Sequence, residues 1–432
     1  MQHEQRLAAL AVLRVMAGTP LPAALAAVAD GADTRGHAFV QELAYGTLRH
    51  WGRLDALTQV LATKPLSDRA LATLIAVALY QLDHTHAPDF AVVDQAVEAA
   101  ALVTRPQAKP LVNAMLRRYL RERDALNAQV SKASRVALWS YPRWWIGRVE
   151  ADYPQHWEAI LAAGNERPPL TLRVNARVTT REALAAQFAA AGIETRSVGA
   201  VGLIVVVPQP VPGLPGFADG AFAVQDAGAQ LAAPLLAPAD GMRVLDACAA
   251  PGGKAAHLAG LAAIDLTALD LDAARLARVD DNFARLRVAG PNVRTQVGDA
   301  GHPATWWDGR PFDRILVDVP CTASGIVRRH PDAKWLRRKR DLDSFVAQQR
   351  RMLPALWQTL APGGLLLYAT CSVFAAENDQ QINDFVKDHP EALRETITLP
   401  DDCLHVGGQL LPATNGAGHN QDGFFYALLR RA

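Results

Sequence analysis

Four cysteines among 432 residues are too few for a disulfide framework, and no C-x-x-C occurs. The histidines are scattered, which speaks against a zinc site, so no metal is expected. Cys248, Cys321, Cys371 and Cys403 read as reduced thiols of a cytoplasmic protein. A net charge of +1 advertises no nucleic-acid binder, and any such surface has to be a local patch. The uncharged run from Ser197 to Ala218 is broken by Pro208, Pro210, Pro212 and Pro215, which excludes a membrane helix there. The first residues, MQHEQRLAALAVLRVM, are charged and helical in period, unlike a signal peptide. Internal repeats and low-complexity tails are absent as well. What the chain has is apolar material: half its residues are hydrophobic, enough for two or three domain cores at this length.

Residues 1–135 repeat apolar side chains at helical spacing and read as an all-α domain. Ser67 is the expected N-cap of SDRALATLIAVALYQL, a helix apolar nearly all round and therefore buried. Arg117, Arg118, Arg121 and Arg123 read equally as a solvated helix face or an RNA contact. Residues 136–218 begin with helices whose tryptophans suit a core, then read strand, helix, strand, strand, with a capping box at Thr179 and Glu182. This is a small α+β unit of the split βαβ kind. PQPVPGLPG closes it as a stiff connector, and the last domain spans residues 219–432.

That last domain is organised around RVLDACAAPGGK, residues 243–254. A short buried strand runs into a Pro-Gly-Gly turn, and Lys254 opens a helical pattern. Gly252 and Gly253 lack a Cβ, so a ligand can come close, and the following helix aims its free N–H groups at the same spot. TALDLD, at 267–272, reads as the second strand and brings Asp270 eighteen residues after Gly252, about the spacing at which an acidic side chain grips a ribose diol. Two further strands end at Asp299 and Asp318. One aspartate at a strand end is a turn or cap residue. Three of them beside a glycine turn describe a ligand cleft at the carboxyl ends of a doubly wound sheet.

Two thiols fall at the same end. Cys321 follows Asp318-Val319-Pro320, and Cys371 ends the strand LLLYATCS. Neighbouring parallel strands end side by side, so both thiols should face the cleft. A lone buried cysteine is inert by default, but two at adjacent strand tips suggest nucleophilic catalysis. Cytosine C5 is too poor a nucleophile to take a methyl group unaided. A thiolate added to C6 turns C5 into an enamine carbon, an acidic group at N3 assists, and a base must then remove the C5 proton. Cys371, Asp318 and Cys321 are candidates for these three tasks. A free thiol is only a few per cent ionised at neutral pH, and Lys254 is the candidate source of the field that ionises one.

The motifs DACAAPGGK, DVPCTASGIVRRHPDAKW, ATCSVFAAEND and DGFFYALL resemble the Sun-type family of RNA cytosine-C5 methyltransferases. QELAYGTLR and LVNAMLRR resemble the NusB-type helical RNA-binding domain. The resemblance implies three domains: all-α NusB-like, a small α+β connector, and an α/β Rossmann-like class I methyltransferase domain. It implies methyl transfer from S-adenosylmethionine to C5 of a cytosine in 16S rRNA, free or early in assembly, by a monomer that uses neither membrane nor metal. Carried over by motif, the Cys371 thiol attacks C6 and the Cys321 thiol assists product release. Cofactor contacts fall on Cys248, Ala249, Ala250, Pro251, Gly252, Gly253, Lys254, Asp270, Asp299 and Asp318, so Asp318 serves cofactor, base or both. Methylation of another RNA or of DNA is the alternative. DNA enzymes of this chemistry attack with the Pro-Cys thiol and have no need of Cys371. A non-enzymatic assembly factor fits poorly with two intact thiols and a glycine loop. The run Arg328, Arg329, His330, Lys334, Arg337, Arg338, Lys339 and Arg340 follows Cys321 and is expected to meet RNA phosphates, with Trp335 stacking a base or pinning the loop. The target base has to leave its stack, which points to a loop or flexible RNA region.

Overall fold

The computed structural model describes residues 1–28, 34–401, 403–413 and 420–432. It divides into two compact units, Met1–Glu166 with Val327–Lys339, and Arg167–Ile326 with Arg340–Ala432.

The first unit is helical. Its central helix, Arg69–His84, buries eleven consecutive or near-consecutive residues from Leu71 to Leu82, as its all-round apolar pattern requires. Its cap is Asp68 rather than Ser67: the Asp68 carboxylate accepts the Leu71 N–H at 3.0 Å. Arg118 pairs with Glu122, and Arg123 reaches Asp83 and Asp89. These two arginines are engaged within the helical unit.

The basic run after Cys321 departs from expectation. Val327–Lys339 packs as part of the helical unit, with Arg328 1% and Lys334 0% exposed. The Lys334 ammonium donates to Arg49 O and to Asn165 Oδ1, both at 2.7 Å, and lies 4.2 Å from the Tyr141 ring centroid. Burial, with the Arg49 charge adding to it, pulls its pKa well down. Asp332 accepts the Leu21 N–H at 2.9 Å, and the Trp335 indole N–H donates to Leu48 O at 2.8 Å. Arg328 and Lys334 are therefore structural, and Trp335 pins the segment. Arg337 is half-buried, while His330 and, at the end of the run, Arg338, Lys339 and Arg340 are exposed.

The second unit holds two sheets. The smaller comprises β1 (Leu170–Val174), β2 (Thr195–Val198), β3 (Gly202–Val205) and β4 (Phe222–Val224) in the order β2-β3-β1-β4. Both β1 and β2 run antiparallel to β3, so they are parallel to each other with β3 between them. The helix Arg181–Ala190 links them, making a split βαβ. That helix is capped by Thr180, which accepts the Ala183 N–H, so the box expected at Thr179 and Glu182 does not form.

The larger sheet contains β5 (Arg243–Asp246), β6 (Asp265–Asp270), β7 (Val293–Val297), β8 (Phe312–Asp318), β9 (Leu360–Thr370), β10 (Ala392–Glu395), β11 (His405–Val406), β12 (Gln409–Leu410) and β13 (Phe424–Arg431). Their order is β11-β12-β13-β9-β8-β5-β6-β7, with β10 paired to β13. β5 through β9 pair in parallel, and β13 joins β9 antiparallel. Apolar layers cover both faces: Leu258, Leu276 and Phe283 on one, Met352, Leu356 and Trp357 on the other. The chain winds outward from β5 to β7, then returns to β8 on the other side of β5. That reversal is where open α/β sheets bind ligands, at the carboxyl ends of the strands.

Candidate active site

Above those strand ends lies a cleft of about 300 Å³, lined among others by Cys248, Asp270, Asp299, Asp318, Cys321 and Cys371. A larger cavity of about 740 Å³ occurs in the helical unit beside Asp55 and Lys64, but no thiol lines it.

The turn after β5 keeps its shape through glycine. Gly252 has φ +95°, and a Cβ there would meet Val279 at 3.0 Å. The helix Gly253–Leu261 that follows has no side-chain cap, so no side chain at its N-cap accepts from its first N–H groups. Arg173 of β1, 3% exposed, donates to Gly253 O at 2.6 Å and to Gln225 Oε1 at 2.5 Å. The small sheet thus braces the glycine turn, a tie that links residues 80 apart in the chain.

Asp270 ends β6. Its carboxylate accepts the N–H of Ala250 at 3.1 Å and of Asp272 at 3.2 Å, with Arg275 at 3.4 Å. Asp299, after β7, accepts the Gly301 N–H at 2.8 Å and pairs with His302 and Arg351. Burial pushes the Asp299 pKa up, but these hydrogen bonds and the Arg351 charge outweigh it and hold the carboxyl below its usual range. Asp318 ends β8 and forms an ion pair with Lys254 at 2.5 Å. Burial disfavours the Lys254 charge, yet Asp318, Cys371 and Asp246 more than offset it and raise its pKa. Lys254 was expected to serve a thiol; its direct partner is Asp318.

The register of β8 and β9 sets Asp318 opposite Ala369. The two chains leave the sheet together, and Cys321 Sγ lies 3.4 Å from Cys371 Sγ. Gly325 N–H donates to Cys371 O at 2.9 Å, joining the loops again. Cys321 is buried, Cys371 half-buried. The hydrogen bond to Cys371, then burial and the charges of Cys371 and Glu377, push the Cys321 thiol well above its ordinary pKa. Cys248 is also pushed well up, by burial and by Asp246, Asp318 and Asp270, which leaves it a neutral thiol.

Two residues escaped the sequence analysis. Asp246, 1% exposed at the end of β5, has no hydrogen bond of normal geometry to either carboxylate oxygen. Burial, then the Asp318 charge, raises its pKa to about 7, with Lys254 and the Cys248 N–H opposing. Its signal was present: it ends a strand as Asp270 and Asp318 do. Glu377 is 0% exposed behind both cysteine loops; it lies within ATCSVFAAEND, but its spacing from Cys371 gives it no role in the sequence reading. Among the described residues, no group of three or more metal-ligating side chains occurs, and no helix is long and apolar enough to cross a membrane.

Residues 233–430 match the family described as 16S rRNA methyltransferase RsmB/F, residues 141–212 the RsmF/B-like ferredoxin-like domain, and residues 3–121 the NusB family. The ribosomal RNA small subunit methyltransferase B of Vibrio cholerae is 41% identical over 96% of this chain and 94% of its own length. The chain belongs to the RsmB/F family of 16S rRNA methyltransferases. The protein of the same name from Pseudomonas putida is 42% identical over 98% of this RsmB/F chain and 97% of its own. A solved structure, PH0851, shares the fold with a TM-score of 0.79 at 23% identity, covering 100% of this chain and 99% of that one. The RsmB/F architecture is thus a NusB helical domain, a ferredoxin-like connector and a methyltransferase domain.

Proposed function

We propose that the protein transfers a methyl group from S-adenosylmethionine to C5 of a cytosine in 16S rRNA, through a covalent bond between Cys371 and C6. In this reading residues 1–135 bind RNA, residues 136–218 connect, and residues 219–432 carry the chemistry. The observation that carries it is the 3.4 Å approach of Cys321 and Cys371 on the wall of a cleft also lined by Asp318, the partner of Lys254. The names of the relatives support 16S rRNA as the substrate.

The residues present fit the cofactor. Gly253, where a Cβ would meet nothing within 4 Å, and the uncapped helix it opens suit a carboxylate, and Asp270 has acceptor capacity left for ribose hydroxyls. Cys248 to Lys254, Asp270, Asp299 and Asp318 would hold it, and when bound it supplies an electrophilic methyl.

Cys371, the more exposed thiol, attacks C6 as a thiolate. The Lys254–Asp318 pair delivers a proton to N3 during attack and takes it back on elimination. Cys321 keeps its proton while Cys371 is charged, because Cys371 is the largest influence raising its pKa. Once Cys371 is bound to carbon its sulfur no longer opposes ionisation of Cys321, though burial and the Glu377 charge still do; the Cys321 thiolate, its proton lost to solvent, then removes the C5 proton. The C5–H electron pair forms the C5–C6 double bond and expels the Cys371 thiolate. Bisulfite sequencing of 16S rRNA from cells with and without the gene tests the reading: one cytosine should lose its protection in the deletion. An unchanged 16S pattern contradicts it.

A further inference from the structure

Cys321 and Cys371 are 50 residues apart in the chain and sit on separate loops, so their spacing needs an internal reference. A single carboxylate behind them has the required connections. One oxygen of Glu377 accepts the Thr322 N–H at 2.9 Å and Gln349 Nε2 at 3.2 Å. The other accepts Thr322 Oγ1 and Ser372 Oγ, each at 2.5 Å. Thr322 directly follows Cys321, and Ser372 directly follows Cys371. Gln349, from the helix Lys339–Trp357, also donates to Pro320 O at 2.9 Å, immediately before Cys321. The Tyr368 hydroxyl of β9 holds the Glu377 carbonyl at 2.8 Å.

Resting on the reaction proposed above, we infer that Glu377 is the positioning residue that sets the distance between the attacking and the releasing thiol. Four donors converge on one carboxylate that offers only acceptors, so each hydrogen bond is satisfied when the group is ionised. Burial raises the carboxyl pKa, and the bonds from Ser372, Thr322 and Gln349 oppose that rise by favouring the charged form. Short charge-assisted bonds in a buried interior tolerate little displacement. The residues beside both thiols are therefore fixed to the same two oxygen atoms. The carboxylate does not line the cleft and acts through its neighbours.

The test compares the full-length protein with Glu377→Ala and Glu377→Gln. Diamide oxidises two adjacent thiols to a disulfide while its N=N bond takes up both hydrogens, so the rate of Cys321–Cys371 linkage, followed by peptide mass mapping without RNA or cofactor, reads the spacing directly. Glu377→Ala should slow linkage and lower kcat at least tenfold, with cofactor Kd within twofold of wild type. Glu377→Gln, which keeps an oxygen for two of the donors, should fall between. A folded Glu377→Ala with wild-type linkage and kcat overturns the assignment. If Glu377→Ala does not fold, Thr322→Val and Ser372→Ala each remove one hydroxyl tie and should slow linkage at least threefold; wild-type rates in both overturn it equally. A wild-type rate of methylation in Cys371→Ala would instead sink the covalent mechanism and leave the spacing result standing.

Discussion

Lys254 Nζ lies 2.5 Å from Asp318 Oδ2, so the lysine of the glycine turn is bound to the aspartate of a different strand end. The ion pair joins the helix that follows the glycine turn to the strand end that leads into the Cys321 loop. Both groups are more than two-thirds buried, at 13% and 27% side-chain exposure, so removing one partner leaves the other poorly solvated. Lys254→Met should lower stability by roughly 1–3 kcal/mol, less than for a fully buried pair. Asp318→Asn in the Lys254→Met background should cost less than Asp318→Asn alone. Urea unfolding of the double-mutant cycle measures the coupling, and additive losses would show the pair to be indifferent.

Asp246 makes stability depend on pH. Its pKa rises from 3.8 to about 7 on folding, with burial the main cause. Between those values the folded chain keeps a proton that the unfolded chain has lost, so this group's contribution to stability falls as pH rises through the range. Asp246→Asn cannot ionise. Its stability relative to wild type should climb across that range, by about 1.4 kcal/mol for each pH unit. Parallel curves of unfolding free energy against pH for the two proteins would remove Asp246 from this role.

Asp270→Ala should weaken S-adenosylmethionine binding by roughly 1.5–3 kcal/mol, the scale of a hydrogen bond to a charged group. The same substitution frees the Ala250 N–H that Asp270 now accepts, which loosens the turn as well. Calorimetry reads the affinity, and an unchanged value takes Asp270 out of the cofactor site.

The basic segment should behave as two parts. Arg338→Ala with Arg340→Ala, at the exposed end, should leave the fold intact and flatten the salt dependence of RNA binding by about 1.4 in log–log slope, for two phosphates on a single strand. Lys334→Ala should instead destabilise the helical unit, because Arg49 O and Asn165 Oδ1 lose their donor inside it. Equal salt slopes in the wild type and the double variant would return Arg338 and Arg340 to a solvated surface.

The difference between what was readable and what was not follows from distance along the chain. Gly252 and Asp270 were legible because a strand, a turn and a helix bring them together within twenty residues. Cys321 and Cys371 were legible because parallel neighbours end at the same level. Glu377 was not, since its chief partner Thr322 is 55 residues away and a glutamate near a helix start looks like any other. Lys334 misled because a basic run carries no mark of burial; its partners Arg49 and Asn165 lie more than 160 residues away in the sequence. The cap positions slipped by one residue where two capable side chains stand in tandem, Ser67 beside Asp68 and Thr179 beside Thr180.

The central claim is the division of labour between the two thiols, and adduct formation on 16S rRNA tests it most directly. Cys321→Ala and Cys371→Ala are first shown to be folded and to bind cofactor, since lost side-chain volume at strand ends can disturb packing. Each is then incubated with unmethylated rRNA and S-adenosylmethionine and run on a denaturing gel. Cys321→Ala should attack, methylate and fail to eliminate, accumulating a protein–RNA adduct that survives denaturation. Cys371→Ala should be inactive and form none. An adduct with Cys371→Ala and none with Cys321→Ala would reverse the assignments, and full activity in both would contradict covalent catalysis by these thiols.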